Sequence, residues 1–246
     1  MFIDAHSHID LLDNYKTVIK NADKENVKII VAGIDAKSNR KIIEIKKSNP
    51  QIEICLGIYP TEALKLSDKE INSEIEFIKK NKDKIVAIGE VGLDLKENSK
   101  ETLEKQKENL SKFVRLAKEL SKPIIIHSRK AEEECIDFLE KLNYKKVVMH
   151  CFSGNFKLVK RIIENNWILT IPTSVKNSEH FQKVIELVPI KNLLCETDSP
   201  YLHPDKKFPN EPANVIESYK KISEIKKIPL KEVEKILEKN YANFFK

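Results

Sequence analysis

Along the chain, short apolar, β-branched runs alternate eight times with longer segments in which apolar residues recur at helical spacing among lysines and glutamates. The runs FIDAH (2–6), VKIIVAG (27–33), IEICLG (52–57), IVAIGE (85–90), PIIIH (123–127), KVVMH (146–150), WILTI (167–171) and NLLCE (192–196) predict strands. Helix-patterned segments fall near 13–24, 37–48, 69–82, 100–121, 130–142, 155–165, 177–188 and 213–226, with a last one near 229–244. Strands flanked by helices on every side imply a parallel sheet buried on both faces. Eight such units within 246 residues predict one (β/α)8 TIM barrel over residues 1–246 with an extra C-terminal helix. An open doubly wound sheet is the alternative, but no G-x-G-x-x-G follows the first strand.

Barrel enzymes build their sites at the C-terminal ends of the strands. Ionisable residues gather there: His6 and His8 end strand one, Glu90 strand four, His127 strand five and His150 strand six, while strand eight runs into Glu196 and Asp198. Asp4, His6 and His8 alternate, which on a strand would turn all three to one face. Imidazole and carboxylate together suit Zn, Mn or Ni, and a carboxylate-rich set also accepts Mg. Six ligands exceed one tetrahedral ion, so the reading is two divalent metal ions per chain, with Glu90 bridging. One ion would take His6, His8, Glu90 and Asp198, the other Glu90, His127 and His150. Such a pair activates a water for hydrolysis, and Asp198 is placed to act as the general base. Cys151, directly after His150, is expected to face away.

Composition narrows the picture little. Lys plus Arg number 44 against 38 acidic residues, a formal charge of +6, which permits an anionic substrate. Arginine is scarce, and Arg129, two residues past His127, is the best-placed clamp for a phosphate. His203, in the segment after Asp198, is a candidate for the pocket wall, and His180 reads as a surface residue. The four cysteines form no C-x-x-C pair, and no leader-like or membrane-spanning apolar run is present. A cytoplasmic protein is expected, and with no apolar surface stripe evident, a monomer without membrane or protein partner.

Six ordered blocks carry a resemblance: DAHSHID (4–10), IGEVGLD (88–94), IIIHSRKA (124–131), MHCFSG (149–154), ETDSPYL (196–202) and NEP (210–212). In them the chain resembles the TatD-related metal-dependent deoxyribonucleases of the amidohydrolase superfamily. The resemblance implies a TIM barrel with a two-metal site acting on DNA, often as an exonuclease trimming from the 3′ end. It puts the metal positions on His6, His8, Glu90, His127, His150 and Asp198, and implies a third ion near Glu196 in some relatives. Tyr59 stands where the family commonly has a histidine, and its phenol could donate to a phosphate oxygen instead. Lys130 stands where an acidic residue often follows the arginine. The competing readings are a metal-dependent deacylase or amidohydrolase, for example one removing D-amino acids from tRNA, and a metal-binding scaffold without chemistry.

Overall fold

The computed structural model describes residues 1–245. Eight parallel strands, β1 (Phe2–Ser7), β2 (Val27–Ala32), β3 (Glu53–Leu56), β4 (Ala87–Gly92), β5 (Ile124–His127), β6 (Val147–Met149), β7 (Ile168–Pro172) and β8 (Leu193–Glu196), pair in chain order. Between them run α1 (Tyr15–Lys24), α2 (Ala36–Ser48), α3 (Pro60–Leu64), α4 (Asp68–Lys80), α5 (Leu103–Leu120), α6 (Glu132–Leu142), α7 (Phe156–Glu164) and α8 (Glu179–Leu187), followed by α9 (Ile216–Lys226) and α10 (Leu230–Phe245). The arrangement is the expected TIM barrel with its additional C-terminal helix.

Alternation along each strand sorts the core into two layers. Ile30 and Ala32 join Ile3, Ala5, Cys55, Ala87, Ile125, Val148, Ile168 and Leu194 in one buried cluster, while Ile29 and Val31 join the larger cluster shared with the helices. Tyr241 and Phe245 of α10 pack on the first cluster. Asn240 Nδ2 also donates to the carbonyls of Ile190 (2.7 Å) and Leu193 (3.0 Å), just where β8 begins. Helix α10 therefore covers the N-terminal end of the barrel and leaves the C-terminal end for a site.

The seam between β8 and β1 is closed by one side chain together with backbone bonds. Asp4 Oδ1 accepts the Thr197 N–H (2.8 Å) and Oδ2 accepts the Thr197 hydroxyl (2.7 Å). Above it, Asp198 N donates to His6 O (3.0 Å) and His8 N to Ser199 O (2.7 Å). The register of β1 against β2 shifts between Asp4 and Ser7, so the simple alternation of Asp4, His6 and His8 breaks: Asp4 serves the seam and the histidines serve the barrel mouth.

Other differences from the sequence reading are local. Strand four starts at Ala87 and continues to Gly92, so Glu90 lies inside it rather than at its end. Helix α3 was not expected; it begins with Pro60 at its first position, where the missing N–H costs nothing. No helix among the described residues is long and apolar enough to cross a membrane.

Replacing Asp4 with Ala strands two buried donors on Thr197, so unfolding in urea is expected to require about 2 kcal/mol less free energy, or more. A loss under about 0.5 kcal/mol would show that the seam is held by the backbone alone.

Candidate metal centre

At the open end of the barrel four imidazoles surround one carboxylate. Glu90, 2% exposed, turns Oε2 toward His6 Nε2 and His8 Nε2, each at 3.3 Å. Its Oε1 lies 2.9 Å from His127 Nδ1 and 3.3 Å from His150 Nε2. Asp198 adds Oδ1 at 3.5 Å from His8 Nε2 and 3.8 Å from His6 Nε2. The potential ligand atoms of His6, Glu90 and His150 lie within 4.8 Å of one another, as do those of His6, His8 and Asp198, so His6 belongs to both groups.

What stands behind the ring determines which nitrogen faces the centre. His8 Nδ1 donates to Ala32 O (2.9 Å), His150 Nδ1 to Glu196 Oε2 (3.2 Å), and His127 Nε2 to Asp94 Oδ2 (2.8 Å). With those N–H groups engaged outward, the opposite nitrogens are left with lone pairs aimed inward, the arrangement in which a neutral imidazole binds a cation. Charge points the same way. Four buried carboxylates, Asp4, Glu90, Asp94 and Glu196, and the partly exposed Asp198 crowd this end of the barrel, and among the described residues no Lys or Arg forms an ion pair with any of them; four of the five pair only with histidines. A divalent cation fits such a donor set and meets its charge demand.

The protonation pattern without a cation is consistent. Burial alone would raise the Glu90 carboxyl, but the His150 ring and hydrogen bonds from His127, His150 and His6 hold it well below the usual range. Burial likewise opposes ionisation of Asp198, and His8 and His150 outweigh it to keep the group low. Burial would lower the imidazoles, yet Asp198 and Glu90 carry His8 well above its ordinary value, and Glu196 and Glu90 do the same for His150. His6 goes down, through burial and then the neighbouring His150 ring.

A cleft of roughly 640 Å³ opens over the centre, lined by His8, Glu90, His127, His150 and Asp198 on its floor and by Leu11, Tyr59, Arg129, Cys151 and Tyr201 on its walls. Arg129 is there as expected, 54% exposed and 3.9 Å from Glu97. Glu196 lies behind His150 rather than in the cleft. Tyr59 lines the wall, but its hydroxyl donates to Asp94 Oδ2 (2.9 Å) and is not free for a phosphate. Its ring meets His127 edge-on at 4.8 Å. His203 is not part of the lining; its Nδ1 accepts the Asp205 N–H (3.0 Å). His180 is half-buried and stacked on Phe156. Cys151 corrects the sequence reading: β6 stops at Met149 and Cys151 takes φ 42°, so strand parity no longer applies and the residue lines the cleft.

Asp94 was missed. Burial favours its neutral form, but hydrogen bonds from His127 and the Glu97 amide outweigh this and hold the carboxyl at about 2. It is therefore a permanent anion behind His127. The signal was available: it stands four residues after Glu90 in the same block.

A parallel (β/α)8 barrel with a histidine–carboxylate cluster at its C-terminal face defines a barrel enzyme with a candidate metal centre. A family model described as TatD related DNase matches residues 3–246, and the chain belongs to that family. It is 37% identical to an uncharacterized metal-dependent hydrolase of Methanocaldococcus jannaschii, covering 100% of this chain and 97% of that protein. It is 31% identical to human deoxyribonuclease TATDN3, covering 99% and 94%. The crystal structure of YJJV, a TatD homologue of Escherichia coli K12, superposes with a TM-score of 0.92 at 25% identity, over 99% of this chain and 97% of that one.

Asp94→Asn should weaken divalent-metal binding by roughly ten- to a hundred-fold while leaving the fold intact, because it removes the charge that orients and polarises His127. Calorimetric titration with Mn or Zn checks this, and unchanged affinity would reduce Asp94 to a partner of the Lys96 and Glu97 amides. The raised imidazoles also set a sign with pH. Protons held by His8, His127 and His150 compete with the cation, so metal affinity should fall as pH falls, and loading at neutral pH should release protons. Titrations in buffers of different ionisation enthalpy would read that release.

Proposed function

We propose that this chain is a metal-dependent hydrolase of DNA phosphodiester bonds, acting as a 3′-to-5′ exodeoxyribonuclease with two divalent ions. The observation that carries the reading is the division of labour on Glu90, with Oε2 on the His6 and His8 side and Oε1 on the His127 and His150 side. His6, His8, Glu90 and Asp198 would hold one ion, and Glu90, His127 and His150 the other. When bound, such a pair supplies Lewis acidity that makes hydroxide available near neutral pH and offsets charge on phosphoryl oxygens. The names of the relatives, a metal-dependent hydrolase and a deoxyribonuclease, support the same class.

The chain's own residues do the rest. Asp198 is ionised at neutral pH and so is available to take the proton of the attacking water. Its backbone sits at φ 52°, a left-handed conformation that costs about 1 kcal/mol or more in a residue with a side chain. The Asp198 N–H bond to His6 O and the Tyr201 N–H bond to Asp198 O fix that conformation and aim the carboxylate at His6 and His8. Arg129, exposed at the rim, can engage a phosphate of the incoming strand with little desolvation cost. Tyr59 stays a protonated phenol, since burial and then Asp94 push its ionisation far up, and it holds Asp94 in place.

End-labelled single- and double-stranded DNA incubated with the protein, in EDTA or with Mg, Mn or Zn, tests the proposal. The expected result is metal-dependent laddering from the 3′ end, slowed on the order of a hundred-fold or more in Asp198→Asn. A folded, metal-loaded protein that leaves DNA intact would overturn it.

A further inference from the structure

After β8 the chain runs across the barrel mouth and presents the two most exposed large apolar side chains among the described residues, Tyr201 (51%) and Phe208 (72%). Their ring centroids are 6.4 Å apart and their planes are tilted by 45°, so neither ring covers the other. The segment that carries them is firmly anchored. Tyr201 N donates to Asp198 O (2.8 Å) and Asn210 N to Pro200 O (2.8 Å). Buried Asn210 Nδ2 reaches Thr197 O (3.0 Å) and Thr173 Oγ1 (3.1 Å), and Asn177 Nδ2 reaches Pro204 O (2.6 Å). A loop so well tied gains no stability from aromatic rings held in water, so the rings call for a ligand.

Two features define what that ligand is. The patch continues into the site: Tyr201 lines the cleft beside His8 and Asp198, and Leu11 and Leu202 extend the same wall. Directly before Phe208 stand Lys206 and Lys207, both exposed, and neither forms an ion pair among the described residues. Aromatic faces interleaved with unpaired cations, on the segment that follows Asp198, match an unstacked nucleobase and its flanking phosphates. A purely apolar partner would leave the lysines unused.

We propose that Tyr201 and Phe208 form a stacking platform for one nucleobase of the strand whose scissile phosphate lies at Glu90 and Asp198, with Lys206 and Lys207 on the adjoining phosphates. The proposal rests on the nuclease reading above. The anchored loop presents the rings in place, so little ordering cost accompanies binding. The β8–α9 loop would then set how the strand is held beyond the reacting nucleotide.

The test uses the metal-loaded full chain and short single-stranded oligodeoxynucleotides carrying 2-aminopurine at successive positions. Fluorescence is read by stopped flow before turnover, and cleavage kinetics are followed on the same strands. Quenching is expected at one position, to be lost in Phe208→Ala, which should also raise KM about ten-fold. Phe208→Trp should restore both, and replacing the quenched base with tetrahydrofuran should abolish the difference between the wild-type chain and Phe208→Ala. Cleavage with KM and quenching unchanged in Phe208→Ala would overturn the platform and leave the nuclease reading standing. Quenching lost in the variant, on DNA that is never cut, would uphold the platform and overturn the nuclease reading. Neither binding nor cleavage would overturn both, and a change of oligomeric state in Phe208→Ala at constant KM would assign the patch to a second copy of the chain and overturn the platform.

Discussion

Everything at the open end of this barrel depends on placing one carboxylate, Glu90, where water cannot solvate it. A buried anion is tolerated only when its lone pairs are satisfied, and here both oxygens face imidazole nitrogens from three other strands or their ends. Reaching that point requires the strands to close tightly around β4. A Cβ on Gly57 would lie 2.6 Å from the Glu90 carbonyl, and one on Gly92, at φ 154°, would lie 1.9 Å from the His127 carbonyl. Only glycine lets the neighbouring backbones approach closely enough for Glu90 to be shared.

Around that carboxylate the charges are arranged in two layers. The inner layer is histidine with Glu90 and Asp198; the outer layer is Asp94 behind His127, Glu196 behind His150 and the Ala32 carbonyl behind His8. The outer groups fix the rings and tautomers of His127, His150 and His8, so their inner nitrogens are presented without rearrangement when a cation arrives. Among the described residues no Lys or Arg pairs with these carboxylates, whose partners are histidines, and a divalent cation fits the donor set they form. The cleft wall is different in character. It mixes apolar and aromatic surface with the exposed Arg129, suited to a substrate with flat apolar parts and negative links.

Much of this was legible in the sequence, for identifiable reasons. Strand positions are strongly encoded because a sheet buried on both faces needs continuous β-branched runs, and every strand lies within two residues of its expected bounds. That His6, His8, Glu90, His127, His150 and Asp198 meet was legible because barrel topology itself brings the C-terminal parts of the strands together, whatever the loops do. Legibility failed where backbone geometry departs from the regular period. The register shift in β1 separated Asp4 from His6 and His8, and the left-handed turn at Cys151 reversed its expected side. Asp94 and Tyr59 were misjudged because their roles depend on partners distant in sequence, since both meet at His127; His203 was misjudged because a local turn engages its ring, its Nδ1 accepting the Asp205 N–H.

If Glu90 is shared as proposed, it divides the centre into two cation positions. Anomalous diffraction from crystals of the protein loaded with Mn or Zn tests it most directly. Two peaks flanking Glu90 are expected, one beside His6, His8 and Asp198 and the other beside His127 and His150. A single peak, or peaks that Glu90 does not touch, would contradict it.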